Sequence, residues 1–273
     1  MAEQIHINPV LRAALESRAS GESYARTDVS EKDLTQEKIL GKSKPDEHLV
    51  SLLTPVTKEA EQYRTLSLML EQRRHNALLQ VVAICSPTVG DGKTVTAINL
   101  AGAFAQSSEA RVLLIDLDFR KPSIPAQLHL KKDEHLMGFR DAIVNSALSL
   151  KDIVHRLPAW NLFLVPAGRA EVMPHEIFKS PRFIELLDDA RRDFEWIIFD
   201  TAPLVLAPDC MMIARSVDGF VMVVAANKTS RHELGEALNI LGPSKLVGLV
   251  FNHDDRLLTS YKYGPYCLPT YSS

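Results

Sequence analysis

The sequence predicts an α/β protein whose doubly wound, mostly parallel sheet is flanked by helices. Three observations support this fold class. Short runs rich in Val, Ile and Leu recur along the chain, segments of helical periodicity separate them, and a glycine-rich turn joins the first run to a helical segment. Because the apolar runs are nearly continuous rather than alternating, we expect strands buried on both faces, as in parallel sheets covered by helices.

Strands and helices are predicted to alternate through the central part of the chain. The strands cover residues 80–86, 111–116, 162–168, 195–200, 219–226 and 245–252. The helices lie between them, at about 93–107, 136–148, 180–193, 207–216 and 230–241. This repeat is typical of a doubly wound sheet that carries its ligand at the carboxyl ends of the strands.

The two ends of the chain differ from this central part. Residues 1–50 are polar and charged, which predicts a mobile leader with too little apolar surface to fold. Residues 57–75 have apolar side chains at helical spacing, so we expect an amphipathic helix docked on the domain. The domain is predicted to span residues 55–256, followed by a flexible, tyrosine-rich tail at 257–273 that has no apolar period.

Composition and charge exclude several classes of protein. Hydrophobic residues make up 46% and charged residues 24% of the chain, as in ordinary globular proteins. The net charge of −3 argues against nucleic-acid binding. The longest apolar run, Phe220 to Ala226, is shorter than the ~18 residues of a membrane helix. Three widely spaced cysteines, Cys85, Cys210 and Cys267, exclude a disulfide framework, so we expect a cytoplasmic protein.

The stretch SPTVGDGKTV, residues 86–95, predicts a phosphate-binding loop of the Walker A type. It follows a strand and opens a helix, so backbone N–H groups and the helix N-terminus favour a phosphate chain. Lys93 and Thr94 can then reach the terminal phosphates and Mg²⁺. The loop departs from the G-x-x-x-x-G-K-[ST] pattern at Pro87, which stands at the first glycine. The candidate nucleotide-binding residues are Thr88, Val89, Gly90, Asp91, Gly92, Lys93, Thr94 and Val95.

A second GKS triplet, at residues 41–43, lacks this context. Gln36 stands at its first glycine position, and no predicted strand precedes it. Pro45 opposes a helix immediately after it. We therefore reject this triplet as a phosphate site.

Acidic residues close two of the predicted strands. Asp116 and Asp118, in LLIDLDFRKP, lie two residues apart and point the same way from an extended strand, so together they can hold hydrated Mg²⁺ and orient a hydroxyl nucleophile. Arg120 follows them and is a candidate for stabilising phosphate charge. Asp200 ends the run WIIFD, the Walker B arrangement in which a carboxylate meets Mg²⁺. The metal candidates are Thr94, Asp118 and Asp200, and the catalytic candidates are Lys93, Asp116, Asp118 and Arg120.

Together these motifs resemble those of the bacterial tyrosine kinase family, P-loop kinases of capsule and exopolysaccharide assembly with deviant Walker motifs. The resemblance covers about residues 55–273 and rests on SPTVGDGKT, LLIDLDFRKP, FDTAP and the tyrosine-rich tail. It implies an ATP- and Mg²⁺-dependent protein-tyrosine autokinase. It further implies that Asp116 and Asp118 share metal binding and hydroxyl activation, and that Asn252 lies near the adenine.

The resemblance also implies phosphoacceptors and partners. The tail tyrosines would be phosphorylated between subunits: Tyr261, Tyr263, Tyr266 and Tyr271. A free cytoplasmic kinase of this family would work at the inner face of the cell membrane with a membrane adaptor of the polysaccharide co-polymerase type, and with a cognate phosphatase. Self-association in the family uses an E-x-x-R-x-x-R helix, which Glu61 and Arg64 match, but Ser67 replaces the second arginine.

Two alternatives remain open from the sequence. One is a P-loop switch ATPase, whose signature carries a second lysine five residues before the phosphate-binding lysine, where this chain has Thr88. The other is a nucleotide-binding scaffold subunit of the same secretion locus that has no catalytic activity. An assay for phosphate transfer separates the scaffold from a kinase.

Overall fold

The computed structural model describes residues 44–76, 79–131, 136–207 and 209–253, and their sheet has seven strands. The strands are β1 (Val81–Cys85), β2 (Val112–Asp116), β3 (His155–Leu157), β4 (Leu162–Val165), β5 (Trp196–Asp200), β6 (Gly219–Ala225) and β7 (Leu246–Asn252). Their order across the sheet is β3-β4-β2-β5-β1-β6-β7. All neighbours pair in parallel except β3 and β4, which are antiparallel. The predicted mostly parallel sheet is therefore confirmed.

Helices cover both faces of this sheet. They are α1 (Val50–Leu53), α2 (Lys58–Asn76), α3 (Lys93–Phe104), α4 (Ile124–Gln127), α5 (Phe139–Val144), α6 (Leu150–Ile153), α7 (Pro174–Lys179), α8 (Pro181–Asp193), α9 (Asp209–Ile213) and α10 (Arg231–Leu241). Within the described ranges, none of them is long and apolar enough to cross a membrane.

The central strands are buried on both faces, as their continuous apolar runs predict. In β1, Val81 and Ala83 belong to a core layer shared with α5, α7, α8 and α10. Val82 and Ile84 point to a second layer shared with α2, α3 and α4. Each strand residue therefore removes apolar surface from water on one side or the other, and the parallel sheet depends on both helical layers.

The structure differs from the prediction around residues 136–168. The predicted helix at 136–148 is shorter in the structure and covers only α5, because Asn145 is extended. The next helix, α6, was not predicted, and it begins after Ser149, whose backbone N–H donates to Asp152 Oδ2 at 2.7 Å as in a capping box. The strand predicted at 162–168 ends at Val165, where Pro166 has no N–H to donate to the sheet. The short strand β3 and helix α7 were not predicted, since three and six residues carry too little periodicity.

The segment before β1 packs on α3. Leu49 is fully buried, and the buried side chain of Asn99 accepts a hydrogen bond from Ser51 N at 2.8 Å and donates to His48 O at 2.9 Å. Residues 44–50, the end of the predicted leader, are thus packed against the domain, whereas residues 1–43 lie outside the described residues. Helix α2 follows and buries Ala60 and Leu70 against the same layer.

Candidate nucleotide-binding and active site

The carboxyl ends of the parallel strands bring the predicted motifs to one edge of the sheet. The phosphate loop leaves β1, whose neighbours are β5 and β6. Asp116 and Asp200 end β2 and β5, and they are register partners in the paired strands. The chain order therefore separates these residues widely, but the sheet places them side by side.

Gly92 is required in the phosphate loop by both its conformation and its neighbours. Its φ is +95°, a region that favours glycine, and a Cβ at this position would lie 1.9 Å from Asn252 Nδ2. The Asn252 amide donates to Asp91 O at 3.0 Å. The end of β7 thus packs directly on the loop, at the point where α3 begins.

The carboxylate of Asp91 is buried and organises the phosphate loop from within. It accepts hydrogen bonds from Thr88 N at 2.9 Å and from the Thr88 and Thr229 hydroxyls at 3.1 Å. Lys228 lies over the loop, where its Nζ donates to Val89 O at 2.8 Å and stands 3.9 Å from the Asp91 carboxylate. The Asp91 side chain is therefore engaged within the loop, so its contribution to nucleotide binding would come from its backbone.

Three motifs meet in one cluster of side chains. Lys93 Nζ donates to Asp118 Oδ2 at 2.7 Å and to Asp200 Oδ1 at 3.4 Å. The Thr94 hydroxyl donates to Asp200 Oδ2 at 2.7 Å. Ser123 Oγ donates in turn to the Thr94 hydroxyl at 3.1 Å. Residues of the Walker A loop, of the LLIDLDFRKP motif and of the Walker B strand end are thus in direct contact.

Asp116 lies beneath this cluster, fully buried at the end of β2. Its Oδ2 accepts from the backbone N–H groups of Ser123 and Ile124 at 3.1 and 3.2 Å, and its Oδ1 accepts from Asp118 N at 3.3 Å. The carboxylate therefore fixes the turn that carries Asp118.

Burial and like charge dominate the electrostatics of the site. Burial, together with repulsion from Asp200, raises the pKa of Asp116 to about 8. Burial also raises the pKa of Asp200 above its ordinary value, although Lys93 and the Thr94 hydroxyl act against this. Burial alone would lower the pKa of Lys93, but the Asp200 and Asp118 carboxylates raise it above its ordinary value. The lysine is thus held charged among acidic groups.

This donor set fits a hydrated Mg²⁺ ion. The cluster offers one hydroxyl and carboxylate oxygens, the hard ligands that Mg²⁺ takes, and carboxylates outnumber the single lysine. Across residues 44–76, 79–131, 136–207 and 209–253, no group of three or more His, Cys, Asp or Glu side chains is placed to hold a metal alone. Mg²⁺ in phosphoryl-transfer sites commonly uses one or two carboxylates, with waters and substrate phosphates completing its shell.

Several predicted site residues lie elsewhere. Val95 belongs to α3 and its side chain packs partly on the core, and the side chain of Val89, in the loop, is 52% exposed. Arg120 is exposed and lines a cavity together with Arg140. The phosphoacceptor candidates lie outside the described residues: Tyr261, Tyr263, Tyr266 and Tyr271.

Sequence reasoning missed three residues that support the loop: Ser123, Lys228 and Thr229. Lys228 and Thr229 follow the end of β6, so the rule that parallel strands present their carboxyl ends together could have found them. Ser123 follows the acidic strand end by a few residues, and no periodicity marks it.

Comparison with known proteins identifies the family. A family model described as an AAA domain matches residues 79–241. Tyrosine-protein kinase YwqD of Bacillus subtilis (strain 168) is 30% identical over 226 residues, which cover 82% of this chain and 93% of that protein. The chain belongs to the bacterial tyrosine kinase family.

Solved structures agree with this assignment. The kinase domain of VpsO is 28% identical, with a TM-score of 0.64 over 76% of this chain and 96% of that one. The kinase domain of the Escherichia coli tyrosine kinase ETK has the same fold, with a TM-score of 0.71 at 22% identity over 82% of this chain and 86% of that one. The bacterial tyrosine kinase fold is that of a nucleotide-binding P-loop protein, and the three motifs lie at its ligand-binding edge.

Proposed function

We propose that this bacterial tyrosine kinase transfers the γ-phosphoryl group of ATP to tyrosines of its own tail, with one subunit acting on another. The acceptors would be Tyr261, Tyr263, Tyr266 and Tyr271. Family membership supports the kinase activity. The observation that carries the proposal is the cluster in which Lys93 contacts Asp118 and Asp200 while Thr94 contacts Asp200.

The nucleotide would bind along the phosphate loop. Backbone N–H groups after Thr88, whose own N–H is bonded to Asp91, and the N-terminus of α3 would face the phosphate chain, and Lys93 would compensate the terminal phosphates. Asn252, at the loop, would lie toward the adenine. Mg²⁺ would be held by Thr94, Asp118 and Asp200, directly or through water, and would neutralise charge on the β- and γ-phosphate oxygens.

The transfer step moves one phosphoryl group. The tyrosine Oη forms a bond to the γ-phosphorus while the bond from that phosphorus to the β,γ-bridging oxygen breaks, and ADP leaves. The phenolic proton passes to the Asp116–Asp118 pair. Arg120 would approach the transferred phosphate and offset its charge.

The cellular role that we propose follows from the motif-level resemblance alone. The kinase would regulate exopolysaccharide or capsule synthesis or export from the cytoplasmic face of the membrane. A membrane adaptor of the polysaccharide co-polymerase type would activate it, and a cognate phosphatase would reverse its phosphorylation. Self-association would bring one subunit's tail to the next subunit's site.

The test is autophosphorylation of the purified protein. Incubation with ATP and Mg²⁺, followed by anti-phosphotyrosine blotting and mass spectrometry, should show phosphate on the tail tyrosines, and Lys93→Met should show none. Absence of phosphotyrosine in the presence of a membrane fraction that contains the adaptor would reject the kinase. Full activity of a dilute monomer without that fraction would reject the adaptor's role.

A further inference from the structure

Ser123 occupies the N-cap position of α4, but its side chain does not cap that helix. The N-cap serines of α8 and α10, Ser180 and Ser230, each accept a hydrogen bond from a backbone N–H of their own helix, at 3.2 and 3.1 Å. Such bonds stabilise the start of a helix. The Ser123 hydroxyl lies instead 3.1 Å from the Thr94 hydroxyl of α3. Ser123 therefore contributes to the side-chain cluster of the site and not to the first turn of α4.

The hydrogen bonds around the Thr94 hydroxyl fix the role of each partner. A hydroxyl has one hydrogen to donate and two lone pairs that accept. The Thr94 hydrogen goes to Asp200 Oδ2 at 2.7 Å, because an ionised carboxylate only accepts. Ser123 is then the donor at 3.1 Å, and Lys93 Nζ stands 3.5 Å from the same oxygen. If Lys93 turned to a phosphate, Ser123 would still hold one lone pair and leave the other for a cation.

The backbone of Ser123 is fixed from the opposite side. Its N–H donates to Oδ2 of Asp116, which is fully buried at the end of β2, at 3.1 Å. A continuous chain of hydrogen bonds thus joins four residues: Asp116, Ser123, Thr94 and Asp200. It runs from the end of β2 through the start of α3 to the end of β5. The sheet therefore sets the position of the Ser123 hydroxyl.

This chain of hydrogen bonds acts on the rotamer of Thr94. Threonine carries a hydroxyl and a methyl group on the same carbon, so rotation about χ1 moves the hydroxyl away from its partners. Thr94 is only 7% exposed, so bulk water has little access to replace a lost partner. Ser123 and Asp200 hold the hydroxyl from two sides, and its oxygen faces the carboxylates before a cation arrives. Such preorganisation reduces the cost of binding.

We propose that Ser123 is a positioning residue for the Mg²⁺ site, whose hydroxyl holds the Thr94 oxygen toward Asp200 with a lone pair left for the cation. This inference rests on the proposed function, in which Thr94 is a ligand of Mg²⁺. Ser123 is not itself a ligand and acts through Thr94. The segment that follows the LLIDLDFRKP motif thereby takes part in metal binding without contacting the metal.

Titration of the full chain with ADP over a series of Mg²⁺ concentrations tests this role without phosphate transfer. In Ser123→Ala, the Mg²⁺ concentration that gives half of the Mg²⁺-dependent gain in ADP affinity should rise about two- to tenfold, the effect of one lost hydrogen bond. The ADP affinity measured in EDTA should stay unchanged. Ser123→Thr and Ser123→Val have the same shape, and only the threonine variant should behave like the natural chain.

Ser180→Ala is the matched control, because Ser180 is a half-buried N-cap serine like Ser123 but bonds its own helix. This variant should lower the melting temperature through the lost cap and keep the natural dependence on Mg²⁺. Ser123→Ala removes no cap bond and should lower the melting temperature less while it shifts the dependence on Mg²⁺.

The outcomes separate this role from the kinase proposal. An unchanged dependence on Mg²⁺ in Ser123→Ala, an equal shift in Ser180→Ala, or equal behaviour of Ser123→Thr and Ser123→Val would overturn it. A natural chain whose ADP affinity ignores Mg²⁺ would overturn both the Thr94 metal site and the role of Ser123. The expected shift in a chain that never phosphorylates tyrosine would overturn the proposed function and leave the role of Ser123 standing.

Discussion

Lys93 and Asp118 form an ion pair of 2.7 Å that joins the phosphate loop to the turn after β2. Both side chains are mostly buried, so the pair is weakly screened by solvent. A phosphate group that Lys93 attracts would therefore arrive beside Asp118, one of the two carboxylates that we propose for the acceptor hydroxyl. Lys93 thus couples the position of the phosphate to the position of the Asp118 carboxylate.

Replacing Lys93 with Met should abolish tight ATP binding. The ammonium compensates phosphate charge through charge-assisted bonds worth about 1.5 to 3 kcal/mol each, so we expect a loss of about tenfold to a hundredfold or more in affinity. Isothermal titration with Mg²⁺·ATP measures this. Lys42→Met alters the rejected GKS triplet and serves as the matched control. Unchanged affinity in Lys93→Met would contradict the phosphate-loop assignment.

Asp116→Asn should change how stability depends on pH. Because burial raises the pKa of Asp116 to about 8, against ~3.9 in an unfolded chain, the folded state binds this proton more tightly. The resulting stabilisation is full below about pH 4 and is lost as pH rises through about 8. Asparagine cannot lose such a proton.

Between pH 6 and pH 8, the free energy of unfolding of the variant should therefore rise by about 1 to 3 kcal/mol relative to that of the natural chain. One ionisable group changes this free energy by about 2.7 kcal/mol at most over two pH units. Thermal or urea unfolding in Mg²⁺-free buffer measures the difference. The lost hydrogen-bond acceptor lowers the free energy of unfolding of the variant by the same amount at every pH. A difference that does not change with pH would show that Asp116 is ionised throughout.

Lys228→Ala should weaken ATP binding without unfolding the domain. The side chain is half exposed, and its bond to Val89 O fixes the phosphate loop from the end of β6. A single hydrogen bond contributes about 0.5 to 1.5 kcal/mol, so we expect a loss of about two- to tenfold in affinity. Lys245→Ala removes a similar bond, to Val217 O at 2.8 Å, at the other end of β6, and should leave affinity unchanged. Equal effects of the two variants would refute a specific role for Lys228.

The sequence predicted the sheet and the loop because both depend on local signals. The apolar runs of β1, β2, β5 and β6 and the glycines before Lys93 are visible without any tertiary contact. The support of the loop by Lys228 and Thr229 was not predictable in this way, because it depends on β6 pairing beside β1. The same holds for Asp91, a predicted nucleotide-binding residue, whose carboxylate bonds Thr88 and Thr229 in the fold.

Ser67→Arg should destabilise the protein rather than complete the E-x-x-R-x-x-R self-association motif. Ser67 is only 3% exposed, on the docked side of α2, so an arginine there would bury charge or displace the helix. We expect a loss of about 1 to 3 kcal/mol, measured by thermal unfolding, with no increase in mass on sedimentation. Gln62→Arg, exposed on the same helix, should change neither. A Ser67→Arg variant that is as stable as the natural chain and forms a larger oligomer would disprove this.

Replacing the four tail tyrosines with Phe should remove nearly all phosphotyrosine. The remaining tyrosines are Tyr24 and Tyr63, and Tyr63 is partly buried in α2. In the natural chain each phosphate adds about −1.5 to −2 charge, so several on one tail should repel each other and the acidic site and loosen any oligomer. Mass spectrometry and sedimentation before and after ATP check both effects. Persistent phosphate in the Phe variant would place the acceptors elsewhere, and an unchanged mass would remove the assembly effect.

Asn99 gives the segment ahead of the domain a mechanical connection to the nucleotide site. Its side chain bonds Ser51 N and His48 O on one side and Val95 O, in the first turn of α3, on the other. A force on the chain before residue 44 would load the bonds to His48 and Ser51 together and would reach α3 through the Asn99 side chain. The segment ahead of the domain is therefore anchored mechanically to the helix that follows the phosphate loop.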